Sequence, residues 1–458
     1  MFNFKEDRVA DTNVYIYDPD SVDVLRGDRC RLIVPMAVIF ELDNLKDKPN
    51  KGIDARKALR KIREIQASGD NSLIIADHPK SNFFKGLDKN NRDHQIIATA
   101  KMFAQRKGES KSLSLVSKDI GVQIVGSHLK LKVEDYIHDR VEVPRYQKPK
   151  TINLEGDEIH KVEDGNYGSG RKFFEYNPEK HGEIVENEGV VCYSDHNGDG
   201  WQSFFALRKG DFFRSLPNNI NLLGITPRNI EGNGPNWSQY FGMEQLLDPE
   251  IRLVFFQGGA GTGKTLLAIA SALAQRSSFD RIIVAHPLTH LEDKDNLGYL
   301  PGGLDEKMAP WRRPLDHALE VVQKNCKGAG ATLVKGRKQR PNVDADTVEK
   351  VVNNKGKMTF EPIDYIRGVT FTDTIIIVEE AQNLTPHQIK TIVTRVGEGT
   401  KMIFTGDLGQ IDTKTRIEPK SSGLAYGMAR MSNKKLVGVT NFNDTVRSEL
   451  ARLAEECM

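Results

Sequence analysis

Apolar runs and stretches of helical periodicity alternate along the first third of the sequence. Strand-like runs lie at residues 32–34 and 113–116, and apolar residues recur at helical spacing over 53–65 and 93–103. Strands that alternate with helices are typical of a parallel sheet with crossover helices. The pattern therefore predicts an α/β domain over residues 1–143.

The periodicity stops after residue 143. Two prolines among basic residues over 144–150 predict a linker. Aromatic and β-branched residues over 189–216 flank an Asn-Gly-Asp-Gly turn at 197–200, which predicts a hairpin in a small β-barrel-like module within 144–220. The aromatic residues of this module have two interpretations, module core or stacking on RNA bases: Trp201, Phe204 and Phe205.

A strand-turn-helix junction near the middle of the chain carries the most specific motif. The apolar run 253–256 precedes the pattern G-x-x-x-x-G-K-T, and helical spacing follows over 266–270. Glycines allow backbone N–H groups to surround phosphates, and a helix N-terminus adds partial positive charge. We therefore predict that a nucleoside triphosphate binds at Gly258, Gly259, Ala260, Gly261, Thr262, Gly263, Lys264 and Thr265.

The chemistry of that motif assigns roles to its last two residues and to two later strands. Lys264 is expected to reach the β- and γ-phosphates, and Thr265 to ligate Mg²⁺. The apolar run 375–378 ends in Glu379, which supports Mg²⁺, and Glu380, which polarises the attacking water. A further strand at 401–404 leads to Thr405-Gly406-Asp407, with Gln410 placed to sense the γ-phosphate. Residues 221–458 are therefore predicted to form a P-loop NTPase (RecA-like) domain.

Composition limits the choice of partner and compartment. The formal net charge of +2 over 458 residues excludes a uniformly basic nucleic-acid coat and allows only local basic patches. The four cysteines are scattered without zinc-site spacing, which predicts reduced thiols. No apolar run approaches membrane-spanning length, and the N-terminus is charged. We therefore expect a cytoplasmic protein with no membrane partner.

Four acidic residues in the N-terminal domain stand where predicted elements begin or end: Asp11, Glu41, Asp93 and Asp119. The carboxyl ends of parallel strands converge at one edge, where such carboxylates can hold one or two divalent ions that activate water at a phosphodiester. The alternative is local structure: Asp93 suits a helix N-cap, and Asp11 a simple turn. Spacing alone does not separate these interpretations.

The N-terminal segment resembles a PIN-type metal-dependent ribonuclease domain over roughly residues 8–140. The resemblance implies that Asp11, Glu41, Asp93 and Asp119 are catalytic metal ligands for Mg²⁺ or Mn²⁺, with Asn13 and Asp43 in supporting roles. It rests on these pieces in order: Asp11-Thr12-Asn13-Val14, residues 34–38 leading to Glu41-Leu42-Asp43, Asp93-x-x-Ile96-Ile97-Ala98, and Val116-Ser117-Lys118-Asp119.

The C-terminal half carries a series of further motifs: Gly298-Tyr299-Leu300-Pro301-Gly302, Tyr365-Ile366-Arg367-Gly368, Glu380-Ala381-Gln382-Asn383, Thr405-Gly406-Asp407 with Gln410, and Arg447-Ser448-Glu449-Leu450. On these motifs it resembles the PhoH family, whose ATPase core is similar to that of superfamily 1 helicases. The resemblance implies ATP as the nucleotide, Gln239 as the residue that reads adenine, and Arg447 as the arginine finger, with Arg395 as second choice. It also implies a homo-oligomeric ring, a hexamer, with ATP between subunits.

Two residues depart from the family pattern. Glu379 stands where the family usually has aspartate, and the extra methylene predicts altered metal geometry and slower turnover. His286 stands where the family commonly has arginine, which removes one expected phosphate or RNA contact. A basic segment over 328–357 either contacts a phosphate backbone or is a solvated insertion.

The two resemblances together are similar to PIN–PhoH fusion proteins. They imply that ATP hydrolysis drives translocation or unwinding of RNA and feeds single strands, or the tail of a duplex, to the metal-dependent nuclease site. One alternative is an ATP-dependent RNA-binding or remodelling protein whose PIN-like domain does not cleave. The other is a phosphotransferase that uses the phosphate loop on a small molecule.

Overall fold

The computed structural model describes residues 4–27, 29–48, 52–105, 112–136, 141, 149–154, 159–160, 173–195, 201–217, 220–230, 234–287, 304–328, 358–366, 368–412 and 417–442. The chain divides into two compact units, Met1–Arg140 and Val141–Met458. Among the helices of the described ranges, none combines the length and the apolar composition that crossing a membrane requires.

The N-terminal unit is built on a parallel sheet of five strands in the order β3-β2-β1-β4-β5. The strands are β1 (Glu6–Ala10), β2 (Cys30–Pro35), β3 (Leu73–Ala76), β4 (Ser112–Val116) and β5 (Lys132–Glu134). The helices are α1 (Thr12–Tyr17), α2 (Ser21–Leu25), α3 (Met36–Leu45), α4 (Gly52–Ala67), α5 (Arg92–Ala104) and α6 (Ile120–His128). The predicted strands at 32–34 and 113–116 and the predicted helices at 53–65 and 93–103 are confirmed.

Apolar periodicity explains how the helices cover this sheet. Helix α4 buries residues at helical spacing on one side, Ala55, Ala58, Ile62 and Ile65, and exposes charged residues on the other. The chain adds β2 and β3 on one side of β1, then places β4 and β5 on the other. The reversal between β1 and β4 is the position at which open parallel sheets bind ligands. Asp11, directly after β1, therefore lies at the expected place for a site.

The second unit begins with a mainly antiparallel sheet in the order β6-β9-β10-β11-β8-β7. Its strands are β6 (Lys150–Leu154), β7 (Ile159–His160), β8 (Phe173–Glu175), β9 (Gly189–Asp195), β10 (Trp201–Lys209) and β11 (Phe212–Ser215), with the short helix α7 (Pro178–His181) between β8 and β9. Strands β9 and β10 pair antiparallel from Asp195 and Trp201 onward, so the predicted hairpin is confirmed. Its turn, 196–200, lies outside the described residues.

Two of the aromatic residues with two interpretations, Phe204 and Phe205, pack against other aromatic rings of the second unit. The ring of Phe205 lies 4.5 Å from that of Trp237 and 4.7 Å from that of Tyr240, centroid to centroid, and Phe204 stacks on Phe174 at 4.9 Å. Phe204 and Phe205 are partly buried and pack against the apolar core, as the core interpretation predicted. The side chain of Trp201 lies outside the described set.

The remainder of the second unit is a six-stranded parallel sheet in the order β16-β15-β17-β18-β14-β19. Its strands are β14 (Leu253–Gly258), β15 (Arg281–His286), β16 (Met358–Pro362), β17 (Thr374–Val378), β18 (Lys401–Gly406) and β19 (Val437–Phe442), preceded by the small pair β12 (Asn229–Ile230) and β13 (Gly234–Pro235). The helices are α8 (Trp237–Leu247), α9 (Lys264–Ala274), α10 (Leu304–Gly328), α11 (Ile363–Ile366), α12 (Pro386–Val393) and α13 (Gly423–Met431). The α/β fold class, with a P-loop-type domain in this half, is confirmed.

Polar contacts join the antiparallel sheet to the parallel one. The buried carboxylate of Asp248, after α8, contacts Arg214 of β11 and receives Nζ of Lys209 of β10 at 2.8 Å. Nearby, the Nδ2 of buried Asn187 donates to the carbonyl of Val437 at 2.8 Å, and Gln245 of α8 donates to the Asn187 carbonyl at 2.9 Å. The two sheets of the second unit are therefore held together by buried charge and hydrogen bonds as well as by apolar contact.

Candidate nuclease and nucleotide sites

The carboxylate of Asp11 is buried at the N-cap position of α1, 1% exposed. Its Oδ2 accepts hydrogen bonds from Oγ of Ser117 at 2.9 Å and Nδ2 of Asn13 at 3.3 Å. Its Oδ1 is buried and has no hydrogen-bond partner among the described residues. One oxygen is thus fixed by the protein, and the other is left available to a ligand.

Two of the other predicted ligands lie near Asp11. Burial raises the pKa of Asp11 to about 6; Asp93 and Glu41 raise this pKa as well, while the hydrogen bonds from Ser117 and Asn13 lower it. Glu41, on α3, accepts a hydrogen bond from Oγ1 of Thr12 at 2.7 Å. Glu41 and Asp93 therefore lie close enough to Asp11 to repel its charge, and the predicted site of four carboxylates stays a prediction.

The capping alternative for Asp93 is wrong, and Asp119 is an N-cap that the sequence analysis did not identify. The N-cap of α5 is Asn91, whose side chain accepts from the N–H of His94, so Asp93 lies in the first turn of the helix. Asp119 is the N-cap of α6, and its Oδ1 accepts from the N–H of Gly121 at 2.7 Å. Asp43 is exposed and pairs with Lys46 at the surface. Asp119 thus uses one carboxylate oxygen to cap α6, and its predicted role as a metal ligand stays a prediction.

The donor set fits a hard divalent cation, although no three acidic, histidine or cysteine side chains of the described residues are arranged to hold one by themselves. Mg²⁺ keeps several waters and is usually bound through one or two carboxylates together with substrate phosphates. The unpartnered Oδ1 of Asp11 beside two other carboxylates meets that requirement.

The site is expected to reduce the stability of the fold at neutral pH. Because the folded-state pKa of Asp11 lies above its ordinary value of 3.8, the folded protein binds more protons between about pH 4 and 6, and stability falls as pH rises through that range. Asp11→Asn removes the buried charge, so at pH 8 in a chelator the unfolding free energy should rise by on the order of 2–3 kcal/mol. Urea denaturation at pH 8 and pH 4.5 measures this, and the gain should fall to about 1 kcal/mol at the lower pH, where Asp11 in the folded protein is mostly protonated. An equal gain in unfolding free energy at both pH values would contradict this prediction. The control is Asp47→Asn, a substitution at an exposed position.

The phosphate loop follows β14 and ends in α9. A Cβ on Gly258 would lie 2.3 Å from the carbonyl oxygen of Phe442, and Gly263 has the left-handed φ of +96°, so both positions require glycine. The ammonium of Lys264 lies within the loop and donates to the carbonyls of Gly258 at 2.6 Å and Gly259 at 2.8 Å. The predicted loop and its lysine therefore have the geometry of a phosphate site.

The acidic end of β17 lies beside this loop. Glu379 is 4% exposed and hydrogen-bonds the side chain of Thr265. Burial raises the pKa of Glu379, as does Glu380, whereas Thr265 and Lys264 lower it. The Oε1 of Glu379 has no partner among the described residues. Thr265 and Glu379 thus form a fitting pair of oxygen donors for Mg²⁺ next to the phosphate loop.

Sequence reasoning did not identify the link between β17 and β18. Gln382, fully buried, donates to Oε2 of Glu380 at 2.6 Å and to the carbonyl of Gln410 at 3.1 Å, and its Oε1 accepts from the N–H of Asp407 at 3.0 Å. Glu380 itself has a left-handed φ of +49°, a strained conformation for a residue with a side chain. One amide therefore connects the predicted water-polarising glutamate to the predicted γ-phosphate sensor.

Gln239 lies against the outer side of the phosphate loop. Its Nε2 donates to the carbonyl of Thr262 at 3.0 Å, and its Oε1 accepts from the N–H of Arg228 at 3.0 Å. Both ends of the amide thus contact backbone, which supports the loop. Adenine recognition by Gln239 stays a prediction.

His286 ends β15, next to the acidic end of β17. Its ring is 9% exposed, and Nδ1 lies 2.8 Å from the carbonyl oxygen of Pro287. Burial lowers the pKa of His286, while Glu380 and the Pro287 carbonyl raise it. Because the net direction is down, the imidazole is neutral at pH 7 and does not replace the charge of an arginine.

Of the two arginine-finger candidates, the structure describes Arg395 but not Arg447. Arg395 lies where β17 and β18 begin, since its carbonyl accepts from Phe371, three residues before β17. That edge is opposite to the phosphate loop, so Arg395 does not reach the nucleotide site of its own chain. Arg447 lies outside the described residues, as do Arg367, the motif at 298–302 and residues 329–357 of the basic segment.

Family models match a segment of each of the two units. Residues 8–137 match the PIN domain family model, and residues 231–458 match the model described as PhoH-like protein. The chain carries a PIN domain followed by a PhoH domain. This PIN–PhoH architecture supports an ATPase and RNA-related function.

Curated relatives share the architecture. Protein PhoH2 of Bacillus subtilis (strain 168) is 29% identical over 481 residues, with 98% of this chain and 99% of the relative covered. Protein PhoH2 of Thermobispora bispora is 26% identical, covering 98% of this chain and 96% of the relative. Protein PhoH of Escherichia coli (strain K12) is 34% identical over 205 residues, covering 44% of this chain and 51% of the relative. The PhoH2 proteins thus match the full length of the chain, and PhoH matches less than half of it.

Proposed function

We propose that this protein hydrolyses ATP to translocate on or unwind RNA, and that it cuts RNA at a divalent-metal site in its PIN domain. One observation carries the proposal. Each unit presents, directly after a strand of its parallel sheet, a buried carboxylate with one oxygen that has no partner among the described residues: Asp11 Oδ1 and Glu379 Oε1. Such an oxygen is costly unless a cation or a ligand completes it.

In the PhoH domain, the residues act on the phosphates and on water. Lys264 neutralises the β- and γ-phosphates, and Glu380 orients and polarises the attacking water. Gln410 senses the γ-phosphate. The side-chain amide of Gln382 donates to both Glu380 and the carbonyl of Gln410, so a movement of Gln410 also moves Glu380. Arg447 supplies the finger from a neighbouring subunit of a homo-hexameric ring.

In the PIN domain, Asp11, Glu41, Asp93 and Asp119 would hold Mg²⁺ or Mn²⁺, Asp119 through the carboxylate oxygen that does not cap α6. The bound ion supplies Lewis acidity and an activated water at the phosphodiester. Hydrogen bonds from Ser117 and Asn13 hold the Asp11 side chain in one rotamer. Its Oδ1 is therefore already oriented to bind a ligand. The hydroxyl of Thr12 likewise fixes the orientation of the Glu41 carboxylate by a hydrogen bond.

The proposal is tested with a 5′-tailed RNA duplex, followed over time with and without ATP in Mg²⁺ or Mn²⁺ and scored for strand separation and for cutting. We expect strand separation only with ATP, and cutting only with the metal. Separation without cutting in either metal would favour an ATP-dependent remodelling protein with a non-cleaving PIN domain. Absence of both, with ATP turnover indifferent to RNA, would contradict the proposal.

A further inference from the structure

The solvent face of α4 carries a row of arginines, Arg56, Arg60 and Arg63, hereafter the arginine row. The three are exposed and spaced four and three residues apart, so they lie on one stripe of the helix. The buried residues of α4 lie on the opposite side of the helix. The row therefore points directly into solvent.

Other basic side chains near α4 form ion pairs with carboxylates of the PIN domain, whereas, within the described part of the chain, the arginine row does not. Lys61, on the flank of the same helix, pairs with Asp20 and Asp23, and Arg26 pairs with Asp23 and Asp70. Among the described residues no ion pair involves the arginine row, although exposed Glu64 follows it. The charge of the three guanidinium groups is thus not neutralised by a described carboxylate, although Arg56 donates one N–H to a backbone carbonyl.

The arginine row lies on a helix next to the carboxylate site. Helix α4 packs against α1, which begins directly after Asp11, and against α3, which contains Glu41. Arg56 also donates from Nη1 to the carbonyl of Lys46, just past the end of α3, at 2.5 Å. The charge is therefore attached to the same two helices that position the predicted metal ligands.

We propose that the arginine row binds the phosphate backbone of single-stranded RNA whose chain continues to the carboxylate site. Guanidinium groups donate two parallel hydrogen bonds to a phosphate, and backbone contacts position a strand without reading its sequence. The row spans about 10 Å along the helix, enough for more than one phosphate. This inference rests on the proposed RNA function and assigns a substrate-binding surface to it.

The test uses full-length protein carrying Asp11→Asn, which keeps RNA intact, and a labelled single-stranded RNA of low secondary structure. Binding is measured at several salt concentrations for this parent, for a variant that adds Arg56→Gln, Arg60→Gln and Arg63→Gln, and for the matched triple Arg→Lys variant. Each phosphate contact contributes about 0.7 to the slope of log K against log salt for single strands. The Gln variant should therefore lower the slope by about 2 and weaken binding at least tenfold at low salt, whereas the Lys variant should keep the parent slope.

Two results would overturn this inference and leave the proposed function standing. One is a parent-like slope in the Gln variant; the other is equal loss in the Gln and Lys variants, which would indicate a change in the helix rather than in its charge. Circular dichroism of the three proteins checks that α4 is retained. A parent that binds no RNA at any salt concentration would instead overturn the proposed function, and the inference with it.

Discussion

Replacement of Lys264 by alanine is expected to reduce ATP hydrolysis by about 10²–10³-fold, the usual effect of removing one charge-stabilising donor. The ammonium lies within the phosphate loop and touches two of its carbonyls, so a substrate phosphate there would meet this positive charge directly. Phosphate release at saturating ATP and Mg²⁺ is the measurement.

The control is Lys324→Ala, an exposed lysine on α10 of the same unit. It removes the same side chain away from the loop and should hydrolyse ATP like the parent. Hydrolysis by the Lys264 variant at the parent rate would show that this loop is not the catalytic nucleotide site.

Replacement of Asp11 by asparagine is expected to reduce RNA cleavage by more than about 100-fold, since even residues that only support metal ligands cost 10–100-fold. Asparagine keeps the shape and can still accept from Ser117 and Asn13, but it removes the charge beside Asp93 and Glu41. The measurement is the initial rate of RNA cleavage in Mg²⁺ and in Mn²⁺.

Asp47→Asn, at an exposed position after α3, is the matched control and should cut like the parent. ATP hydrolysis by the Asp11 variant should be retained, because the substitution lies in the other unit. Parent-like cleavage would remove Asp11 from the nuclease site. Together with its expected gain in stability, the variant would show that the PIN site is kept at a cost to the fold.

Local patterns explain why so much of the nucleotide site was predictable. The phosphate loop and the strand ends that carry Glu379, Glu380 and Gln410 are each encoded within a few residues, and a parallel sheet brings such strand ends to one edge. The same rule predicts that Asp11, Glu41, Asp93 and Asp119 meet, and the structure places Glu41 and Asp93 near Asp11. The pattern could not show which residue caps each helix, because Asn91 and Asp119 occupy the N-cap positions of α5 and α6.

The contacts between elements far apart in the sequence were not predictable. Gln382 joins two strand ends through both ends of one amide, and no periodicity marks a glutamine for that role. Phe205 was placed correctly in a core, but its partners belong to α8, outside the predicted module. The module boundary predicted at residue 220 therefore cuts through one continuous apolar core.

The buried contacts of Asp248 limit how this protein can change over evolutionary time. Loss of its carboxylate alone would leave Arg214 and Lys209 with buried charge and no counterion, and loss of either cation would weaken the compensation of Asp248. Because Lys209 and Arg214 belong to the antiparallel sheet and Asp248 follows α8, which packs on the parallel sheet, a new antiparallel sheet could not be exchanged into the chain without matching changes after α8. The two sheets are therefore expected to be inherited together, and an alignment of relatives should show these three positions changing as a set.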